Sequence, residues 1–225
     1  MARGRARRLV IGLAPLAAAA ALAACHDSVG AAACLEPNGV AYDFTINGDP
    51  ALVFRWPASY NRVRVYAEPV GELQQNAQAA MDLWASAFRC GELSLTLTSD
   101  STHADIIVRN PVALPVAAAA SRFVLRADSV HGCGGVTVFD TTAGRLAGPM
   151  RAYVAPKSAD TAAVRACYHF VTAHELGHAL GLGSHSSDTN DLMNALPRRR
   201  ALSARDRYTI QLLYHTTPTI GPPPR

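Results

Sequence analysis

The sequence predicts an α+β domain: a sheet, two large helices, and a small C-terminal subdomain with one further helix. Three observations lead there. Short runs rich in β-branched residues recur between positions 51 and 154. Two long stretches, 70–88 and 160–180, carry apolar residues at helical spacing. The length of 225 residues suits one domain better than two.

In chain order, residues 51–55 and 62–66 read as strands, the second alternating as RVRVY. Residues 70–88 read as an amphipathic helix with Leu73, Ala77, Ala80, Met81, Trp84 and Phe88 on one stripe, which assigns Trp84 and Phe88 to the core. LSLTLT (93–98) and ADIIVR (104–109) are of strand type, and 111–120 is a Pro/Ala-rich loop. Residues 122–126, 136–139 and 151–154 give three further short strands. The helix at 160–180 ends at Gly181, a residue suited to a left-handed cap. The last helix, 202–214, has Ser203 at its N-cap and Asp206 three residues on. The polar, Pro-rich tail 215–225 is expected to be disordered.

The formal charge of +4 suggests an acidic partner until its source is located. Arg3, Arg5, Arg7 and Arg8 precede an apolar run of about 16 residues that ends in small residues before Cys25, the pattern of an export signal. Leu22-Ala23-Ala24-Cys25 resembles a bacterial lipobox, in which the cysteine is lipidated and becomes the first mature residue. Without residues 1–24, Lys+Arg falls by those four arginines from 21 to 17, equal to the 17 Asp+Glu. The basic balance belongs to the leader, so no nucleic-acid partner is expected. The expected organisation is a signal at 1–24, a tether and entry segment at 25–50, one domain at 51–214 and the tail at 215–225. The protein is expected to be exported to the cell envelope, membrane-attached through its N-terminal lipid alone, and a monomer.

Beyond Cys25, the chain has Cys34, Cys90, Cys133 and Cys167, an even number suited to an oxidising compartment. Four cysteines allow three pairings. Cys34–Cys90 with Cys133–Cys167 is the expected set, since each joins a loop to a helix end, but sequence alone does not decide it.

The chemistry concentrates in HELGHALGLGSHSSDTNDLM, residues 174–193. Positions i and i+4 share a helix face, so His174 and His178 can present two imidazoles to one metal ion, with Glu175 beside it as a base for bound water. Leu176, Ala179 and Leu180 mark the helix as buried, and buried imidazoles need partners. A catalytic zinc takes a third protein ligand. Glu175 is the last glutamate in the chain, so a later glutamate cannot supply it. The downstream candidates are His185, Asp188, Asp191, Asp206 and His215, and His185 is the nearest and chemically the best.

The segment resembles the metzincin signature HExxHxxGxxH with its following Met-turn, and is most similar to the matrixin branch. His174, Glu175, His178 and Gly181 stand at the family positions. The third family histidine would fall at Ser184, but HSSDTNDLM has the matrixin-like spacing from His185 to Met193. The departure reads as one residue inserted between Gly181 and His185, with His185 the ligand and Ser184 a bystander. GVTVFDTT and LSARDRYTIQLLY also resemble segments flanking such sites, and ADIIV resembles the sheet edge along which substrate is held extended.

The resemblance implies a metzincin-like, twisted, mostly parallel sheet and a zinc endopeptidase acting on protein or peptide. Its parts would be one catalytic Zn²⁺ on His174, His178 and His185, a water on the metal with Glu175 as its base, and Met193 as a structural floor. Structural Ca²⁺ or Zn²⁺ sites also occur among such proteins, but no ligands for them can be located here. No cysteine-switch motif is present. Two other readings stay open: a non-catalytic peptide-binding or adhesion lipoprotein that keeps the fold, and a zinc hydrolase of cell-wall peptides. Intact Glu175 argues against the first, because holding a metal does not require it. His169 falls about 140° around the helix from His174 and should face away. Cys167 is read as a disulfide partner, His103, His131 and His215 as surface histidines, and Arg198, Arg199 and Arg200 as a solvated charge run.

Overall fold

The computed structural model describes residues 31–60, 62–113, 123–130, 133–155 and 162–223. The leader, Cys25, His131, most of the 111–120 loop and the expected start of the second long helix lie outside them. The elements are α1 (Ala31–Cys34), β1 (Val63–Ala67), α2 (Leu73–Ala85), β2 (Leu95–Thr98), β3 (Ile106–Arg109), β4 (Phe123–Val130), β5 (Cys133–Phe139), β6 (Thr141–Thr142), β7 (Arg145–Leu146), β8 (Met150–Ala155), α3 (Ala162–Ala179) and α4 (Ala204–Tyr214). They form the expected α+β class with a mostly parallel sheet.

The six-stranded sheet runs β2-β1-β3-β8-β5-β4. β1, β2, β3 and β8 are mutually parallel, and β5 pairs antiparallel with both β8 and β4. β6 and β7 form a separate two-stranded ribbon. Helices α2 and α3 pack against each other and the sheet. Trp84 of α2, fully buried, donates its indole N–H to the Ala173 carbonyl of α3 at 2.8 Å.

Three expectations need correction. ADIIV is not at an edge: β3 lies between β1 and β8, and the edges are β2 and β4. Ile106, Ile107 and Val108 are all buried, as a continuous apolar run requires of a strand covered on both faces. Residues 51–55 form no strand; Phe54 makes one isolated bridge, to Ile220 of the tail. The tail is ordered through residue 223 for the same reason. Ile220 is buried, Thr219 and Ile220 donate to the Val53 carbonyl, Gly221 exchanges hydrogen bonds with the β6–β7 ribbon, and Tyr60 donates to the Pro223 carbonyl. One apolar side chain with paired backbone on both sides fixes a segment whose composition alone suggested disorder.

Two disulfides are formed, Cys34–Cys90 and Cys133–Cys167. The first ties the N-terminal segment to the chain beyond α2. The second ties the start of β5 to α3, so the strand and helix that meet at the site are covalently joined.

Candidate metal centre

The helix end builds the first part of the centre. Gly181 has φ +114°, and a Cβ there would come within 2.2 Å of the Phe54 carbonyl oxygen. Only glycine suits such a position. Gly181 N–H bonds the His178 carbonyl and Leu182 N–H the Gly177 carbonyl, the pair of bonds of a Schellman cap. The cap turns the chain so that the Leu182 carbonyl accepts from His178 Nδ1 at 2.5 Å. His174 Nδ1 donates in the same way to the Leu192 carbonyl at 2.9 Å. With Nδ1 engaged, each ring directs Nε2 to the same point.

That point is shared by a third ring. Ligand atoms of His174, His178 and His185 all lie within 4.8 Å of one another. His185 Nε2 is 3.1 Å from His178 Nε2. His174 Nε2 is buried with no hydrogen-bond partner among the described residues. A buried nitrogen with an available lone pair, facing two more imidazoles, fits one tetrahedral Zn²⁺ with a position left for water. The other grouping of possible ligands among the described residues, Cys34, Cys90 and Glu92, has its two sulfurs bonded to each other.

Burial keeps His174 and His178 neutral. It pushes the His174 pKa down to about 3, with His185 adding to the effect and the Leu192 carbonyl opposing it. His178 is held well below the usual range by burial and its two histidine neighbours. An imidazole whose folded pKa lies below the unfolded value of about 6.5 stays neutral while the unfolded chain takes up a proton. Stability of the metal-free protein should therefore be intact above pH 6.5 and fall as pH drops from there towards 3. His174 alone should remove about 2 kcal/mol between pH 7 and pH 5, with His178 adding to it. Urea unfolding of the metal-free protein at the two pH values checks this; equal midpoints would refute it.

Glu175 is fully buried where α3 crosses β5. Thr137 Oγ1 donates to Glu175 Oε2 at 2.7 Å. A Cβ on Gly135 would come within 2.4 Å of Glu175 Oε1, so this glycine lets the carboxylate lie directly against the strand. Sequence reasoning missed both contacts, although GVTVFDTT was singled out as a flanking segment.

Met193 closes the other side. It is buried, and its sulfur lies where a Cβ on Gly177 would come within 2.5 Å. The turn behind it is closed by Ser186 N–H to the Met193 carbonyl, Asn194 to the Ser186 carbonyl, and Ser186 Oγ to Asp191. Asp206, also fully buried, accepts from Leu192 N–H at 2.8 Å, Met193 N–H at 3.3 Å, Ser203 N–H at 2.9 Å and the Tyr42 hydroxyl at 3.0 Å. The capping box read from Ser203 and Asp206 is present, and it also holds the Met-turn.

Residues 121–215 match the matrixin family model. The chain carries a matrixin-like domain over part of its length. No curated protein matches it.

The remaining candidates have other work. Asp188 and Asp191 face Arg205 at 3.7 and 3.4 Å, and His215, exposed as expected, pairs with Glu92 at 3.2 Å. His103 is exposed and pairs with Asp100. His169 is outside the ligand group, and its pKa is lowered by burial and by Arg200. Arg199 bonds Asn190, and Arg200 lies over the Phe170 ring at 5.5 Å, so two of the three arginines are engaged, not merely solvated.

Proposed function

We propose that this protein is a zinc-dependent endopeptidase that hydrolyses peptide bonds in protein or peptide substrates. The observation that carries the reading is the group of three imidazoles around the unpartnered His174 Nε2, with the buried Glu175 carboxylate one residue along the helix. His174, His178 and His185 would hold the ion. A zinc ion bound there supplies Lewis acidity to the scissile carbonyl and lowers the pKa of a water towards about 7. Glu175 takes a proton from the attacking water and returns it to the leaving amine. Thr137 fixes the carboxylate for both transfers, and Met193 supports the helix from beneath.

The reading extends to location. Residues 1–24 serve as an export signal, Cys25 carries the lipid, and the protein sits in the cell envelope, supported by the leader pattern and by two disulfides suited to an oxidising compartment.

The test is to purify the protein from cells fed labelled palmitate and measure zinc, label and cleavage of unfolded casein. The expected result is one zinc per chain, label lost in Cys25→Ala, and cleavage abolished by phenanthroline and restored by zinc. Zinc-loaded protein that leaves casein intact would remove support for catalysis, and label persisting in Cys25→Ala would remove the anchor.

A further inference from the structure

The residue that is surplus to the family spacing in the ligand turn is held. Ser184 Oγ donates to the Thr45 carbonyl at 2.7 Å, with Asp43 Oδ2 at 3.4 Å as its other neighbour. The backbone on either side of Ser184's partner is paired as well: Gly183 N–H bonds the Phe44 carbonyl at 2.9 Å, and Asn47 N–H bonds the Gly183 carbonyl at 3.2 Å. The approach is so close that a Cβ on Gly183 would come within 2.5 Å of Ile46 Cα. Gly183 is thus required by the segment lying across it.

That segment is itself anchored. Asp43 Oδ1 accepts from Thr45 N–H at 2.8 Å and Thr45 Oγ1 at 2.6 Å, which fixes the carbonyl that Ser184 uses. Ile46 is buried in the core. Tyr42 bonds α4 twice, through its N–H to Thr209 and its hydroxyl to Asp206. Further back, the Cys34–Cys90 disulfide fixes the start of the segment. His174 and His178 are oriented by their own helix and by carbonyl acceptors, whereas His185 stands on a turn outside any helix or strand.

We propose that residues 43–47 are a clamp for the ligand turn, and that Ser184 is its latch, a positioning residue that sets His185 against the other two imidazoles. The inference rests on the zinc reading above. An extra residue in a turn adds freedom that must be removed before three ligands can converge, and side-chain-to-backbone locking removes it. Ser184 is no metal ligand, as expected, yet it has a role in the turn: the inserted residue supplies the bond that makes the insertion compatible with the centre.

The test compares the full chain with Ser184→Ala, Ser184→Thr and Gly183→Ala, reading zinc affinity by competition with a chromophoric chelator and thermal unfolding of the metal-free proteins. Ser184→Ala should bind zinc on the order of 10-fold more weakly, about what one well-placed hydrogen bond contributes, while its metal-free unfolding temperature stays that of wild type. Ser184→Thr, which keeps the hydroxyl, should bind as wild type does. Gly183→Ala should lose more affinity than Ser184→Ala, because backbone must move to admit the methyl. Unchanged affinity in Ser184→Ala overturns the latch, and so does a loss matched by an equal fall in metal-free stability. If wild type itself takes up no zinc, the metal-centre reading fails and the latch goes with it, a result distinct from the first two.

Discussion

Glu175→Gln is expected to lower peptide cleavage by about 10³-fold while leaving one zinc per chain. General acid–base groups contribute about 10²- to 10⁴-fold, and here one carboxylate serves both transfers. Glutamine keeps the shape of the side chain at a place where shape matters, since Gly135 leaves no spare room and Thr137 can still donate to the amide oxygen. The loss therefore reports on the proton and not on packing. Zinc should stay because His174 and His178 are oriented by the Leu192 and Leu182 carbonyls, and neither bond involves Glu175. The measurement is kcat on a quenched fluorescent peptide, with metal analysis of the same preparation. Activity within 10-fold of wild type would exclude Glu175 as the base. Loss of zinc would make it a structural residue, and the binding-protein reading would then gain ground.

What the sequence made legible is local. The i, i+4 histidines, the Gly181 cap and the Ser203–Asp206 box are each written within a few residues, and each appears in the structure as read. The spacing from His185 to Met193 likewise identified the histidine that joins the cluster. What remained illegible runs between distant segments. Thr137 meets Glu175 across 38 positions, and Ser184 meets Thr45 across 139, with no periodicity to announce either contact. The misplaced edge strand has a different cause. A short apolar run such as IIV suits a strand buried on both faces, which belongs in the sheet interior, whereas the resemblance implies an edge. The tail departs from its composition: proline and threonine suggest disorder, but buried Ile220 and the paired backbone around it supply the anchor.

The second large effect concerns Asp206, where a legible cap conceals a role in the centre. Asp206→Ala is expected to destabilise the protein by about 3–5 kcal/mol, since it strands the buried Leu192 and Met193 N–H groups and the Tyr42 hydroxyl. Burial raises the pKa of this carboxyl, while the N–H groups of Leu192 and Ser203 and the Tyr42 hydroxyl pull it the other way, so the site is built around an acceptor. Asp206→Asn should be nearly as damaging. Oδ1 takes Tyr42 and Met193, and Oδ2 takes Leu192 and Ser203, so either orientation of the amide turns an NH₂ towards donors. The loss should reach the metal, because the Leu192 whose N–H Asp206 holds presents its carbonyl to His174 Nδ1. Ser203→Ala is the control. It removes the capping hydroxyl that bonds Asp206 N–H and should cost about 1 kcal/mol without changing zinc affinity. Urea unfolding of the metal-free forms, with zinc competition on the folded ones, separates the two. If Asp206→Ala costs no more than Ser203→Ala and binds zinc as tightly as wild type, Asp206 caps a helix and does nothing for the centre. If it costs several times more and weakens zinc, one carboxylate links the last helix, the Met-turn and the first ligand, so the stability of the C-terminal subdomain and the geometry of the site cannot be varied independently.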